Sequence, residues 1–383
     1  MNIVIIITDN YPNKFSATNV KAEFIAKGLM KNGVKVTIVD VPYGTDGVHQ
    51  VTCGITQDRI DYIQLPQTGQ NIKRAWKNLC LYKEILNKLY LPNDDNIVLL
   101  GFFFFPFYLY LCHLVTKCGY KKFVLYHEWN IKTSHPSFLA AFEDYLMTYS
   151  FGYFIDGILP ISHFLEKKCK MFHKPQMILP IMAEFKEERS IPSIGNHFSF
   201  CANVNYLLRN KIIIEAFDSL HLIKPECELC LVLFGKEKEI EELQIYIDTL
   251  NSKDNIFIKS KIPQKELMQL YRTSRALIIP LDPNNIADKA RFSQKIAEYL
   301  CSARPIITNN VGEIPYYLQD RKDALIVDYS VDGFTGAMKF VLDNEEEAKK
   351  IGQQGFIAGK EKFGVEKNST RLISFIKSTI KNL

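Results

Sequence analysis

Three side chains in the last third of the chain have types and spacing that suit joint chemistry. Arg291, Lys295 and Glu298 stand at i, i+4 and i+7 in "RFSQKIAEYL". At that spacing they share one face of a helix whose apolar stripe is Phe292, Ile296, Tyr299 and Leu300. Cations first and a carboxylate later oppose the helix macrodipole. The order becomes useful if an anion arrives. Free N–H donors at a helix start, with Arg291 and Lys295 beside them, suit a diphosphate. Glu298, about one to two turns on, offers two acceptor oxygens for the two hydroxyls of a ribose. Diphosphate followed by ribose is the layout of a nucleotide-sugar. The plainer alternative is a solvated Lys295–Glu298 pair contributing ~0.3 kcal/mol.

Such residues need a scaffold that holds them at a ligand edge, and the chain alternates apolar strands with helices. Strands are predicted at 2–8, 34–41, 60–66, 97–101, 121–130, 156–162 and 176–182, with helices near 19–32, 72–90 and 162–172. The polar stretch 183–196, with Pro and Gly, reads as a linker. A second series follows, with strands at 198–204, 228–235, 255–260, 276–281, 304–309 and 324–329 and helices between and after them. This pattern means parallel sheets covered on both faces. The expected fold class is α/β: two Rossmann-like, doubly wound parallel-sheet domains facing across a cleft, with ligands at the carboxyl ends of the strands. The predicted domains are 1–185 and 186–365, with a C-terminal helix at 366–383 that has the option of crossing back to the first domain.

Composition agrees. The 383 residues are 47% hydrophobic, 23% charged and 12% aromatic, enough for two ordinary cores. The net charge, 47 − 42 = +5, is too mild for a nucleic-acid binder. Nine cysteines without a framework spacing point to reduced thiols in a cytosol, and Cys227 and Cys230 read as packing rather than a zinc site. The run 97–115 contains no Lys, Arg, Asp or Glu, but Gly101 and Pro106 interrupt it. A buried strand followed by a buried helix with Pro106 in its first turn explains it better than a membrane span. The start, "MNIVIIITDNYP", goes straight into a strand without a basic leader.

Several chemistries lack their motifs. GxGxxG, GxxxxGK, GxSxG and HExxH are all absent, and Asp94–Asp95 precede a strand, the wrong end for a metal–diphosphate site. No metal and no cofactor are expected.

The segment "SQKIAEYLCSARPIITNNVGEIPYYL" resembles the "SxxKxxEYxxxGxPVIxxxxGxxPE" stretch of retaining, GT-B-type glycosyltransferases of the "glycosyl transferases group 1" kind. The likeness extends to "TDNYP", "HEWN", "ILPIS", "LFGKEKE" and "IPQKELMQLYRTSRALIIPL". It implies a nucleotide-sugar, UDP- or GDP-linked, in the C-terminal domain and an acceptor mainly in the N-terminal one. By position, Glu298 would hold the ribose, with Lys295 and Ser293 beside the donor. Gly235 would let the chain pass close to the nucleotide, and Lys261 and Ile262 would flank the base. Arg209 and Lys211 are the nearest candidates for neutralising the diphosphate; surface cations at a helix start are the alternative. On the acceptor side the resemblance points to Tyr11, Ser16, His127 and Glu128, though His127 reads equally as a core histidine at a strand end.

Departures from the pattern are plain. The earlier glutamate of E-x7-E is Ala290 here, a glycine is replaced by Ala303, and the N-terminal glycine-rich loop is "KFSATN". The resemblance implies metal-independent transfer of a sugar, with retention, to a glycan or lipid-linked acceptor in surface polysaccharide or glycolipid synthesis. The alternatives are a catalytically inactive partner subunit and a nucleotide-sugar epimerase. The basic helix 71–90, with Lys73, Arg74, Lys77, Lys83 and Lys88 around Trp76, would allow contact with an anionic membrane from the cytoplasmic side; a crossover helix with a solvated face is the alternative.

Overall fold

A computed structural model of the chain describes residues 1–12, 16–40, 50–66, 72–101, 105–128, 138–186 and 193–383, with the side chains of 72–77, 105, 106 and 140 excepted. Lys73, Arg74, Trp76 and Lys77 of the basic helix, Lys14 and Phe15 of "KFSATN", Trp129 and Asn130 of "HEWN", and linker positions 187–192 therefore fall outside the described residues or side chains. The chain forms two compact units. The first comprises Met1–Met182, Ala290–Phe292 and Val365–Leu383, the second Ala183–Lys289 and Ser293–Gly364.

The first unit is built from β1 (Asn2–Ile7), α1 (Ala17–Lys31), β2 (Lys35–Asp40), β3 (Thr52–Ile55), β4 (Asp61–Gln64), α2 (Ile72–Leu89), β5 (Asn96–Leu100), α3 (Phe105–Lys117), β6 (Lys121–Tyr126), α4 (Phe138–Ser150), β7 (Gly157–Pro160) and α5 (His163–Cys169). Its sheet runs β3-β4-β2-β1-β5-β6-β7, parallel throughout except that β3 pairs antiparallel with β4. The central strand β1, "NIVIII", is buried along its whole length, as a strand covered on both faces must be. Ile3, Ile5 and Ile7 form one core face with Ile25 and Leu29 of α1.

That face also takes Leu372 and Ile376 of the last helix, Val365–Lys381. Gly28 makes the approach possible: a Cβ there would lie 1.7 Å from Ser369 Oγ and 2.8 Å from Val365 Cγ1.

The second unit contains β8 (His197–Asn203), α6 (Leu207–His221), β9 (Glu228–Phe234), α7 (Glu237–Ile247), β10 (Ile256–Lys259), α8 (Gln264–Thr273), β11 (Leu277–Ile279), α9 (Ile286–Ala290), α10 (Gln294–Leu300), β12 (Ile306–Asn309), α11 (Ile314–Tyr317), β13 (Leu325–Val327), α12 (Val331–Asp343) and α13 (Glu345–Phe363). The helix Val365–Lys381 is α14. The sheet order is β10-β9-β8-β11-β12-β13, all parallel, so the order reverses between β8 and β11. Ligands bind doubly wound sheets at such a reversal.

The expected α/β class with two parallel-sheet units is observed. Three elements differ from expectation. The run 176–182 forms no regular strand; Met177 and Leu179 donate to Ile158 and Pro160 carbonyls at 3.1 and 2.9 Å. Pro160 lacks the N–H that would donate to Met177 O and continue this ladder. Strand β3 escapes the pattern because it is a mostly exposed edge. Helix α4 escapes it because apolar side chains occur nearly all round it. In 97–115 the strand and helix are as expected, and among the described residues no helix is long and apolar enough to cross a membrane. All nine cysteines are free thiols.

Candidate functional site

In the second unit close contacts fix the loops after β8, β9 and β11, next to where the sheet order reverses. Gly235, just past β9, has φ +144°, and a Cβ on it would meet Val204 Cγ1 at 2.3 Å. The loops after β8 and β9 thus pass so closely that a side chain at 235 does not fit. The loop after β11 is clamped twice. Asn309, ending β12, accepts from Leu281 N at 2.8 Å and donates to Leu281 O at 2.7 Å. Asp288 accepts from Asp282 N at 2.9 Å and pairs with Arg209 Nη1 at 2.9 Å.

Helix α10 is pinned to β8 from its inner face. The backbone N–H of Cys201 donates to Tyr299 Oη at 3.1 Å, and Tyr271 lies edge-on to Tyr299 with centroids 4.8 Å apart. Glu298 lies beside this anchor. Burial pushes its carboxyl up to about 7, and the neighbouring Lys295 ammonium only partly offsets that. The same Lys295 charge lowers the Cys201 thiol against the stronger upward push of burial. Lys295 and Glu298 are therefore together, at the end of the strand next to the reversal. A desolvated carboxyl beside a cation marks a candidate functional site.

The helical placement of Arg291 is corrected. Arg291 is not on the helix: α9 ends at Ala290 and α10 begins at Gln294, so Arg291 and Phe292 lie in the connection and group with the first unit. The i, i+4 relation of Arg291 to Lys295 does not hold, because the backbone is not helical between them. Arg209 is held in the buried pair with Asp288, its guanidinium 3.5 Å from the Tyr206 ring centroid, so it braces the loop after β11. Lys211, two positions on and hence on another side of α6, sets its Nζ 4.4 Å from the Tyr246 ring centroid on α7. Lys261 is fully in solvent at φ +53°, its Nζ 3.9 Å from Glu237 Oε1; Ile262 beside it is half-buried. Ser293 is the N-cap residue of α10, and its hydroxyl does not bond the helix N–H groups.

In the first unit a polar cluster stands at the carboxyl edge of β1, β2 and β6. Ser16 caps α1, accepting from Thr18 N at 3.1 Å and Asn19 N at 3.4 Å, and its hydroxyl donates to the Asp9 carboxylate. Asp40, ending β2, accepts from Asp9 N at 2.8 Å and Tyr11 N at 2.9 Å. Burial still pushes Asp40 up to about 6 against those two donors. The Tyr11 ring is fully buried in the core, edge-on to Tyr62 at 5.8 Å. His127, just past β6, is held well below the ordinary imidazole value by burial and then by the Lys21 charge, so it is neutral at pH 7. Glu128 next to it is exposed.

Lys21 is the residue that sequence reasoning missed. Burial pushes its ammonium down to about 8, with Glu128 opposing and Arg291 adding to the effect. The signal was available. Ser16 as N-cap puts Lys21 in the second turn of α1, a cation near a helix start, as Lys295 is in α10. Among the described residues no three His, Cys, Asp or Glu side chains group to hold a metal ion.

Comparisons with known proteins bear on the fold. The chain is similar to sucrose-phosphate synthase from Thermosynechococcus elongatus at 12% identity, TM-score 0.74, covering 100% of each chain. It is similar to HepE of Anabaena in complex with UDP and glucose at 11% identity, TM-score 0.74, covering 99% of this chain and 100% of that one. The fold is GT-B. A glycosyltransferase from Rickettsia africae ESF-5 is similar at 15% identity, TM-score 0.72, over 100% of this chain and 99% of the other. Residues 184–357, nearly all of the second unit, match the sequence model of the family "Glycosyl transferases group 1". No curated protein sequence matches the chain. Within the GT-B frame, α10 with Lys295 and Glu298 lies inside the family-matched segment and beside the reversal of the second sheet.

Proposed function

We propose that the chain is a glycosyltransferase that binds a nucleotide-diphosphate-sugar on the second unit and transfers the sugar, with retention, to a hydroxyl of a glycan or lipid-linked acceptor. The observation that carries this reading is Glu298: a carboxyl desolvated to about 7 beside Lys295, on a helix pinned to β8, inside the family-matched segment. Its two oxygens suit the ribose diol, and Lys295 suits the diphosphate. Charge grows on the leaving diphosphate as the glycosidic bond breaks, and a fixed cation aimed there lowers that barrier. The acceptor attacks from the leaving-group face and gives its proton to the departing phosphate, so no protein nucleophile and no metal ion take part. Neutral His127 serves the first unit's side as a hydrogen-bonding group for sugar or acceptor. Gly235, Ser293 and Ile262 stay as donor-side contacts, and Ser16 and Glu128 as acceptor-side ones. The work belongs to surface polysaccharide or glycolipid synthesis, in the cytoplasm or at the inner membrane face.

Isothermal calorimetry across UDP-, GDP- and other nucleotide-sugars tests the donor. UDP-linked sugars come first because HepE, a GT-B neighbour, is seen with UDP and with UDP-glucose. Binding to one class, abolished in Glu298→Ala with unchanged circular dichroism, is expected. Donor hydrolysis without acceptor then distinguishes an active transferase from an inactive partner. No heat with any of them, or full turnover in Glu298→Ala, ends the assignment.

A further inference from the structure

We propose that the outward face of α4, continued by the lysines of α5 and the turn after it, is a docking surface for an anionic lipid bilayer. This does not depend on the glycosyltransferase reading, and it concerns a different element from the basic helix α2. Helix α4 carries apolar side chains on its outward face as well as on its inner one. Its inner face buries Met147 and Thr148, while Phe138, Phe142 and Tyr145 are 82%, 50% and 54% exposed. With Tyr149 these residues recur at i, i+4, i+7 and i+11, one stripe along the helix. Leu139 beside them is 75% exposed.

The two acidic residues of α4, Glu143 and Asp144, lie about 140° and about 240° round the helix from Phe138 and are half-buried. The outward stripe itself carries no charge. The rings organise among themselves, Phe138 and Phe142 stacked at 6.4 Å and Tyr145 against Tyr149 at 4.6 Å. A soluble surface seldom exposes an apolar patch of this kind unless something covers it.

Charge complementarity says what covers it. The stripe continues through exposed Tyr153, whose ring meets Phe172 edge-on at 5.2 Å. Phe172 closes the turn Lys170–Phe172 that follows α5, and this segment exposes Lys167, Lys168, Lys170 and Met171. An uncharged stripe of Phe, Leu and Tyr next to a lysine cluster is the composition of a helix lying in a bilayer interface. The rings enter the headgroup–acyl boundary and the ammonium groups meet anionic headgroups.

Co-sedimentation of the full chain with phosphatidylcholine vesicles, with and without phosphatidylglycerol, tests this. Binding is expected to the anionic vesicles and to fall with salt. The variant F138S/F142S/Y145S should lose ~10-fold or more in partitioning, and K167E/K168E/K170E should lose the preference for anionic lipid. K83E/K88E on α2 should bind as the unmodified chain does. Tyr145→Trp gives a second readout that does not require a destabilising change. Its emission should shift to the blue with vesicles and be quenched by brominated lipid. The proposal is overturned by no binding of the unmodified chain, by full binding of F138S/F142S/Y145S, or by a dimer in solution that those three substitutions dissolve.

Discussion

Glu298 shows how one residue couples stability to function. Its folded value of about 7 stands above the ordinary 4.5 because burial penalises the ionised form. The carboxyl is neutral in both states below pH 4.5, so it costs nothing there. As pH rises from 4.5 to 7 the unfolded chain ionises first, and stability falls. Urea unfolding should therefore find Glu298→Gln more stable than the parent by about 3 kcal/mol at pH 8 but only about 1 kcal/mol at pH 5. Nucleotide-sugar affinity should move the other way, weakening ~5-fold from pH 7 to 6 in the parent and staying flat in Glu298→Gln. An advantage for Glu298→Gln that does not change with pH would show that the carboxyl is not desolvated. Ala303 makes a second residue-scale case. It sits at φ +56°, a left-handed position that favours the glycine for which the family-like pattern calls. Ala303→Gly relieves ~1–2 kcal/mol of strain and loses up to ~1 kcal/mol to unfolded-chain entropy. A rise in thermal midpoint of a few degrees or less is expected, and a drop would mean that the strain is illusory.

At the scale of elements, close approach decides more than propensity does. Helices α1 and α14 meet at Gly28, where an added Cβ would strike the Ser369 hydroxyl and the Val365 side chain. Gly28→Val should destabilise the first unit by ~1–3 kcal/mol through overpacking. Serine 369 is the nearest obstacle, so Gly28→Ala/Ser369→Gly should recover part of the loss that Gly28→Ala alone causes. Strict additivity in chemical denaturation would argue against the contact. The same logic explains α10. Seven residues of weak helix would not hold a site, but Tyr299 ties the helix to the β8 backbone through its hydroxyl. The site is positioned by that anchor, by Gly235 and by the doubly clamped loop after β11.

At the scale of the whole molecule, the chain leaves its first unit at Met182 and, apart from Ala290–Phe292, returns to it at Val365. Val365, Leu372 and Ile376 are buried in the first unit's core. Each contributes ~1.5–3 kcal/mol by burial, together comparable with the ~5–15 kcal/mol that holds a domain folded. A chain ending at Gly364 should therefore lose hydrogen-exchange protection in β1 and β2 while keeping it in β8 and β9. Retained protection in β1 would show that α14 is dispensable.

Much of this was legible in the residues alone. Fully apolar strands such as "NIVIII" and "ELCLVLF" alternating with helices fix parallel sheets, because only burial on both faces tolerates such runs. The order of motifs around Lys295 and Glu298 marked the second unit's candidate site, since a carboxylate and a cation one turn apart are close on any helix. The sequence could not show where the helix begins, and that took Arg291 off it. Nor could it show that Asp288 binds Arg209 from 79 positions away, that Lys211 turns to Tyr246, or that burial holds His127 neutral and weakens Lys21 as a cation. Local spacing is set by chain geometry and can be read from the residues. Burial and partners distant in sequence depend on how the sheets bring segments together, so only the tertiary structure decided which charges meet.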